Sequence, residues 1–179
     1  CRTGEEIMMK RNIRTVEKVF VAGQGLILLF MLFHDWVPLG NLNDLEGIRS
    51  QNTTEEIVRT TAFNTASILV VLVLTLTFAG KRYPVWVRIW LVAHLDGVLL
   101  GALKAWWIPY FFGADPDLAA RYEAMFGNTH AFLPEMNGIV PNTIHVLFHL
   151  TLAAMWLIAI ALAFQGKRKQ APAAGKAVK

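Results

Sequence analysis

Four stretches of this chain are each long and apolar enough to cross a lipid bilayer, and that leaves few folds open. A span needs about 20 apolar residues, and residues 16–39, 61–79, 85–112 and 140–164 each meet that length. Within hydrocarbon, backbone N–H and C=O groups have to pair inside the spanning segment, so such stretches fold as helices. The expected fold is therefore all-α. It is an integral membrane bundle of four transmembrane helices over residues 16–165, with an arm at 1–15 and a basic, disordered-type tail at 166–179. Composition agrees, with 55% apolar residues and a mean hydropathy of +0.42 over 179 residues. The first stretch has no small-x-small cleavage site after it, so it reads as a retained anchor rather than a signal peptide.

Charge predicts the orientation. Thirteen of the 17 basic residues fall in the N-terminal arm, in the connection between spans two and three (Lys81, Arg82, Arg88) or in the tail. The other two loops hold only Arg49, Arg59 and Arg121. The positive-inside rule then puts both termini in the cytoplasm (N-in/C-in) and residues 35–60 and 113–139 outside, as expected for a bacterial-type inner membrane. The net charge of +4 is thus a topology signal, and no nucleic-acid partner is expected. Beyond the lipid bilayer, the expected partners are a second copy or another membrane subunit.

The predicted outer loops carry ordering signals. Asp115 before Pro116, with Gly127 as the stop, marks a short helix. Its apolar residues Leu118, Tyr122, Met125 and Phe126 share a face, as in an interfacial helix on the membrane surface. Thr53 and Glu56 form a capping box that opens the second span. Trp36, Trp106, Trp107 and Tyr110 sit where an aromatic belt is expected.

All five histidines lie in spans or in the outer half of the protein. His145 and His149 are four apart and share a helix face, within the first turns after Pro141, which is expected to open the helix. His34 lies near the outer end of the first span and His130 in the second outer loop. Imidazoles with a carboxylate suit a divalent transition metal such as zinc, iron, copper or manganese. The expected ligand set is His145, His149, His34 and His130, with Asp35 or Glu135 as ligand or general base. The same rings would otherwise serve as hydrogen-bonding groups at the interface.

The third span carries His94, Asp96 and Lys104. Ionisable groups at membrane depth are costly and mark functional candidates. Asp96 is expected to find a polar partner on another helix, while Lys104 can snorkel outward. Gly97 and Gly101 would let another helix approach closely. A bis-histidine haem is disfavoured, because His94 and His149 fall about two turns apart in depth.

Three functional readings follow. The first is a metal-binding membrane protein, with enzymatic action on a lipid-soluble or external substrate. The second is a proton-coupled carrier using Asp96, His94 and Lys104. The third is an accessory subunit of a larger complex. The single cysteine, Cys1, excludes CxxC chemistry and an intrachain disulfide. A chain opening on Cys1 rather than Met reads as a fragment, with Met8 or Met9 as the expected start.

Overall fold

The computed structural model describes residues 13–164. The arm before residue 13, the basic tail and Cys1 lie outside the described residues, so the expectations placed on them are not addressed. The described residues are helical apart from turns and one isolated bridge. Helix α1 is Thr15–Phe33, α2 is Leu45–Gln51 and α3 is Thr54–Phe78. Helix α4, Val85–Ala102, continues through a π-helical turn, Leu103–Trp107, into α5, Ile108–Phe112. Helix α6 is Pro116–Phe126 and α7 is Thr143–Phe164. Four helical stretches are long and apolar enough to cross a membrane: Thr15–Phe33, Thr54–Phe78, Val85–Phe112 and Thr143–Phe164.

The span boundaries differ from the sequence expectation at three ends, each for a local reason. Helix α1 stops at Phe33 rather than at residue 39. Pro38 disfavours helical backbone at Val37, and the Asn43 side chain takes up the carbonyls of His34 and Val37. Helix α3 opens at Thr54, well before residue 61, on the expected box: Thr53 N–H donates to Glu56 (2.8 Å) and Glu56 N–H to Thr53 Oγ1 (3.3 Å). Helix α7 begins at Thr143, after Pro141, because Asn142 rather than the proline supplies the cap.

Buried stripes at three- and four-residue spacing hold the bundle together. Helix α4 gives Val87, Leu91 and Leu95; α7 gives Leu152, Met155, Ala159 and Leu162; α1 gives Phe20 and Ile27; α3 gives Ile68 and Val71. Helix α1 packs on both α3 and α7, and α7 packs on α4, whereas α3 and α4 hardly touch. The order around the bundle is therefore α3, α1, α7, α4, with a gap between the first and the last. One end of the bundle carries the α3–α4 turn, and the other carries the long loops.

The loop end is a second layer. Helix α2 packs across α6, so closely that a Cβ on Gly47 would lie 2.6 Å from the Met125 carbonyl oxygen. Tyr122 Oη donates to Ala105 O (2.8 Å), and Tyr122 and Phe126 pack at a tilt against Trp106. The apolar face of α6 is therefore turned onto α2 and Trp106. The expected aromatic belt is likewise only partial: Trp106 and Tyr110 are buried, and Phe111 and Phe112 face outward instead. The loop before α7 is pinned by a tight turn at Asn137–Gly138, where φ is 52° and 76° and Met136 and Ile139 exchange backbone hydrogen bonds.

Candidate functional site

The π turn positions the centre of the site. Pro109 has no N–H to give the Ala105 carbonyl, which accepts from Tyr122 instead. Ile108 N–H reaches back five residues to Leu103 O. The extra residue in the turn is accommodated with Trp106 pointing into the bundle, 5% exposed. Its ring centre lies 4.6 Å from that of His145 and 6.2 Å from that of His149.

Three of the four expected ligand histidines come together around this tryptophan. The His34 and His145 ring centres are 5.6 Å apart, and those of His145 and His149 are 6.1 Å apart. Phe30 stacks on both His34 and Phe148 and closes one side. His145 and His149 are both buried.

Hydrogen bonds decide what each ring offers. Asn142 Oδ1 accepts the backbone N–H of His145 (3.2 Å) and faces its Nδ1 at 2.6 Å. An amide oxygen only accepts, so Nδ1 carries the proton and Nε2 presents its lone pair. Nε2 of His145 has no hydrogen bond among the described residues. His34 donates from Nδ1 to the Phe30 carbonyl (3.1 Å), and its Nε2 faces Asp35 Oδ1 at 3.0 Å. His149 has no hydrogen bond on either ring nitrogen among the described residues, and its Nδ1 is fully buried.

His130 and Glu135 stay apart from this cluster. The His130 ring is exposed and pairs with Thr143 Oγ1 (2.7 Å). Its backbone ties the two loops to the start of α7, donating to Asn41 O (2.6 Å) and accepting from Thr143 N–H (2.9 Å). Glu135 is exposed and has no partner among the described residues. No group of three His, Cys, Asp or Glu residues among those described stands in ready-made metal-ligating geometry.

The three polar groups of the third span also separate. His94 Nε2 pairs with Ser67 at 2.7 Å and lies beside Trp90. Asp96 has no hydrogen-bond partner among the described residues; Gln24 pairs with Thr75 and Ser67 with His94 instead. Lys104 is exposed. Trp106, level with His149, lies about 18 Å along the helix from His94, so these two histidines do not meet at the matching depth a haem requires.

Beneath the cluster, the gap between α3 and α4 is a cavity of about 690 Å³. It is lined by His34, His145 and His149 at the loop end and by His94 and Ser67 deeper. Gly97 and Gly101 form part of its floor, and a Cβ on either would meet nothing within 4 Å, so no helix of this chain occupies the space they leave.

Sequence reasoning missed Asn142 and the inward turn of Trp106. A signal existed for the first, since an Asn three residues before a helical His is at cap spacing. For the second, Pro109 four residues after Ala105 was the signal. These features define a class: a helical protein with four helices able to span a membrane and a histidine cluster above a cavity between two of them. No protein-family model, curated protein or solved structure matches the chain.

Proposed function

We propose that this chain is a multi-pass inner-membrane protein, both termini cytoplasmic, that binds one divalent transition metal ion at the outer ends of α1 and α7. His145 is the primary ligand through Nε2, His149 the second and His34 the third. Asp35 orients His34 or becomes the fourth donor once His34 Nε2 turns to the ion. The observation that carries this reading is the Asn142–His145 pair. A metal-ligating histidine commonly gives its other N–H to a fixed acceptor, which sets tautomer and orientation, and His145 does so at 2.6 Å. The ring spacings support it as well. Two imidazoles on one ion place their ring centres about 4.5–6.5 Å apart for metal–nitrogen bonds of about 2.1 Å, and both neighbouring pairs fall in that interval at 5.6 and 6.1 Å.

The donor set fits a borderline ion such as zinc, iron, copper or manganese. Bound there, the ion would act as a Lewis acid on a molecule reaching it from the cavity or from outside. His130 and Glu135 form no part of the site in this reading. The cytoplasmic assignment of the α3–α4 turn rests on Lys81, Arg82 and Arg88 against the basic-poor opposite face.

Elemental analysis of the full chain purified in mild detergent tests the proposal, with cobalt(II) reloading followed in the visible. One equivalent of metal is expected in the wild type and in His130→Ala, with loss in His145→Ala. Absence of stoichiometric metal both before and after reloading with zinc, iron(II), copper(II) or manganese would reject it.

A further inference from the structure

The cavity between α3 and α4 has properties that the metal reading does not use. Its lining runs along α4 from Trp90 to Trp106, about 24 Å by helix rise. Its mouth is flanked by Phe63 and Trp90, both exposed, on the side where α3 and α4 hardly touch. In a bilayer that mouth faces hydrocarbon, so whatever enters comes from the lipid phase. The volume, about 690 Å³, suits a small molecule.

The lining also restricts the chemistry of an occupant. It contains no Lys, Arg, Asp or Glu; its hydrogen-bonding groups are Ser67, Asn64, the Trp90 and Trp106 indoles and histidine rings. A lipid phosphate or carboxylate would find no cation there, and an ammonium group would find no carboxylate. A bare alkyl chain would leave His149 unpaired. That residue is 5% exposed and has no hydrogen bond on either ring nitrogen among the described residues, a costly state for a buried polar group. The Gly97 and Gly101 floor leaves a slot with indole rings at both ends, which suits a flat ring stacked at an offset.

From these observations we infer that the α3–α4 cavity binds a neutral, membrane-dissolved ring molecule with a carbonyl or hydroxyl oxygen, the chemistry of a quinone or quinol. Its oxygen pairs with His149, its ring lies over Gly97 and Gly101 and its tail leaves past Phe63. This reading and the metal reading draw on the same His149 ring, so binding is measured in protein stripped with EDTA, where failure of one leaves the other standing.

The test is a titration of the full chain in nonionic detergent with decylubiquinone, followed by tryptophan fluorescence, with oleate as the anionic contrast. Saturable quenching by decylubiquinone and none by oleate is expected. Binding should weaken about tenfold or more in His149→Phe, which keeps the ring and removes the polar atoms, and in Gly101→Leu, which fills the slot. Unchanged saturable binding in His149→Phe would overturn the inference even where Gly101→Leu fails to fold. Quenching no greater than partition into empty micelles would overturn it as well. So would a ligand-free dimer that cross-links through Gly101→Cys in a Cys1→Ser background, since a second copy would then fill the slot.

Discussion

The two ends of the bundle hold buried polar groups for opposite purposes. At the turn end they tie helices together. Glu17, fully buried, accepts from Gly80 N–H (3.1 Å) and Arg14 Nε (3.1 Å), joining α1 to the α3–α4 turn. Gln24 donates to Thr75 (3.0 Å), and Arg88 donates to the Ala163 carbonyl on α7 (2.8 Å). At the loop end the polar groups keep free valences. His145 presents an unshared lone pair, His149 makes no hydrogen bond among the described residues, and a Cβ at Gly97 or Gly101 below them would meet nothing within 4 Å. Gln24 Oε1 and Arg88 Nε also lack a partner among the described residues, but each belongs to a side chain already held across the bundle. A buried group without a partner is costly unless something binds it, so function is expected at the loop end.

Substitutions can break that contrast. The largest effect on stability is expected for Glu17→Ala, which removes the acceptor of three donors, Arg14 N–H, Arg14 Nε and Gly80 N–H, and should cost about 2–3 kcal/mol in a thermal or denaturant unfolding series. The matched loop-end change, His149→Phe, should cost less than about 1 kcal/mol, since an unpaired polar group is replaced by a ring of similar shape. Equal losses would erase the distinction.

Next comes packing at glycine. A Cβ on Gly23 would lie 2.2 Å from the Met155 sulfur across the α1–α7 contact. Met155 can shift, so Gly23→Ala should cost about 1–3 kcal/mol. Gly97→Ala meets nothing and should be neutral or stabilising by up to about 1 kcal/mol from helix propensity. Melting temperatures measured side by side decide this.

Asn142→Ala sharpens the loop end alone. Loss of the α7 cap should cost about 1 kcal/mol. In the proposed metal site, loss of the acceptor that fixes the His145 tautomer should weaken binding about 10–100-fold, read by metal titration. A stability loss with unchanged metal affinity would reduce Asn142 to a cap.

The smallest effect is at the turn end in alkali. Burial, reinforced by the Glu17 carboxylate, pushes the Tyr83 phenol up to about 12 from an ordinary value near 10. A raised folded value means that its stabilising contribution is fully present below pH 10 and is lost as pH rises toward 12. Absorbance titration at 295 nm should show late-ionising tyrosine, with Tyr122, also raised by burial, contributing beside Tyr83. In Glu17→Gln, Tyr83 should ionise earlier.

Much of the architecture was legible in the residues. Four apolar runs, the Thr53–Glu56 box and the Asp115–Pro116 start each rest on interactions within a few residues, and each stands in the structure where expected. Boundaries were less legible, because helix ends depend on which distant groups take the last carbonyls and first amides. Asn43 reaching back to His34 and Val37 is one such case, and no local periodicity announces it. The candidate site was half legible. The spacing of His145 and His149 placed both on one face, and His34 joined them. His130 left the group because its short loop is held by Asn41 and Thr143.

By itself the sequence determined the class of fold and the side of the bundle that collects histidines, since hydropathy, charge bias and helical period act over one or two turns. The tertiary structure alone decided that α3 and α4 stand apart, that Trp106 turns inward, and that Asn142 holds His145 by Nδ1 while His149 is left unpaired. Those outcomes depend on helix-to-helix packing and on competition for individual hydrogen-bonding atoms across the bundle. Neither is encoded in the spacing of residues along one helix.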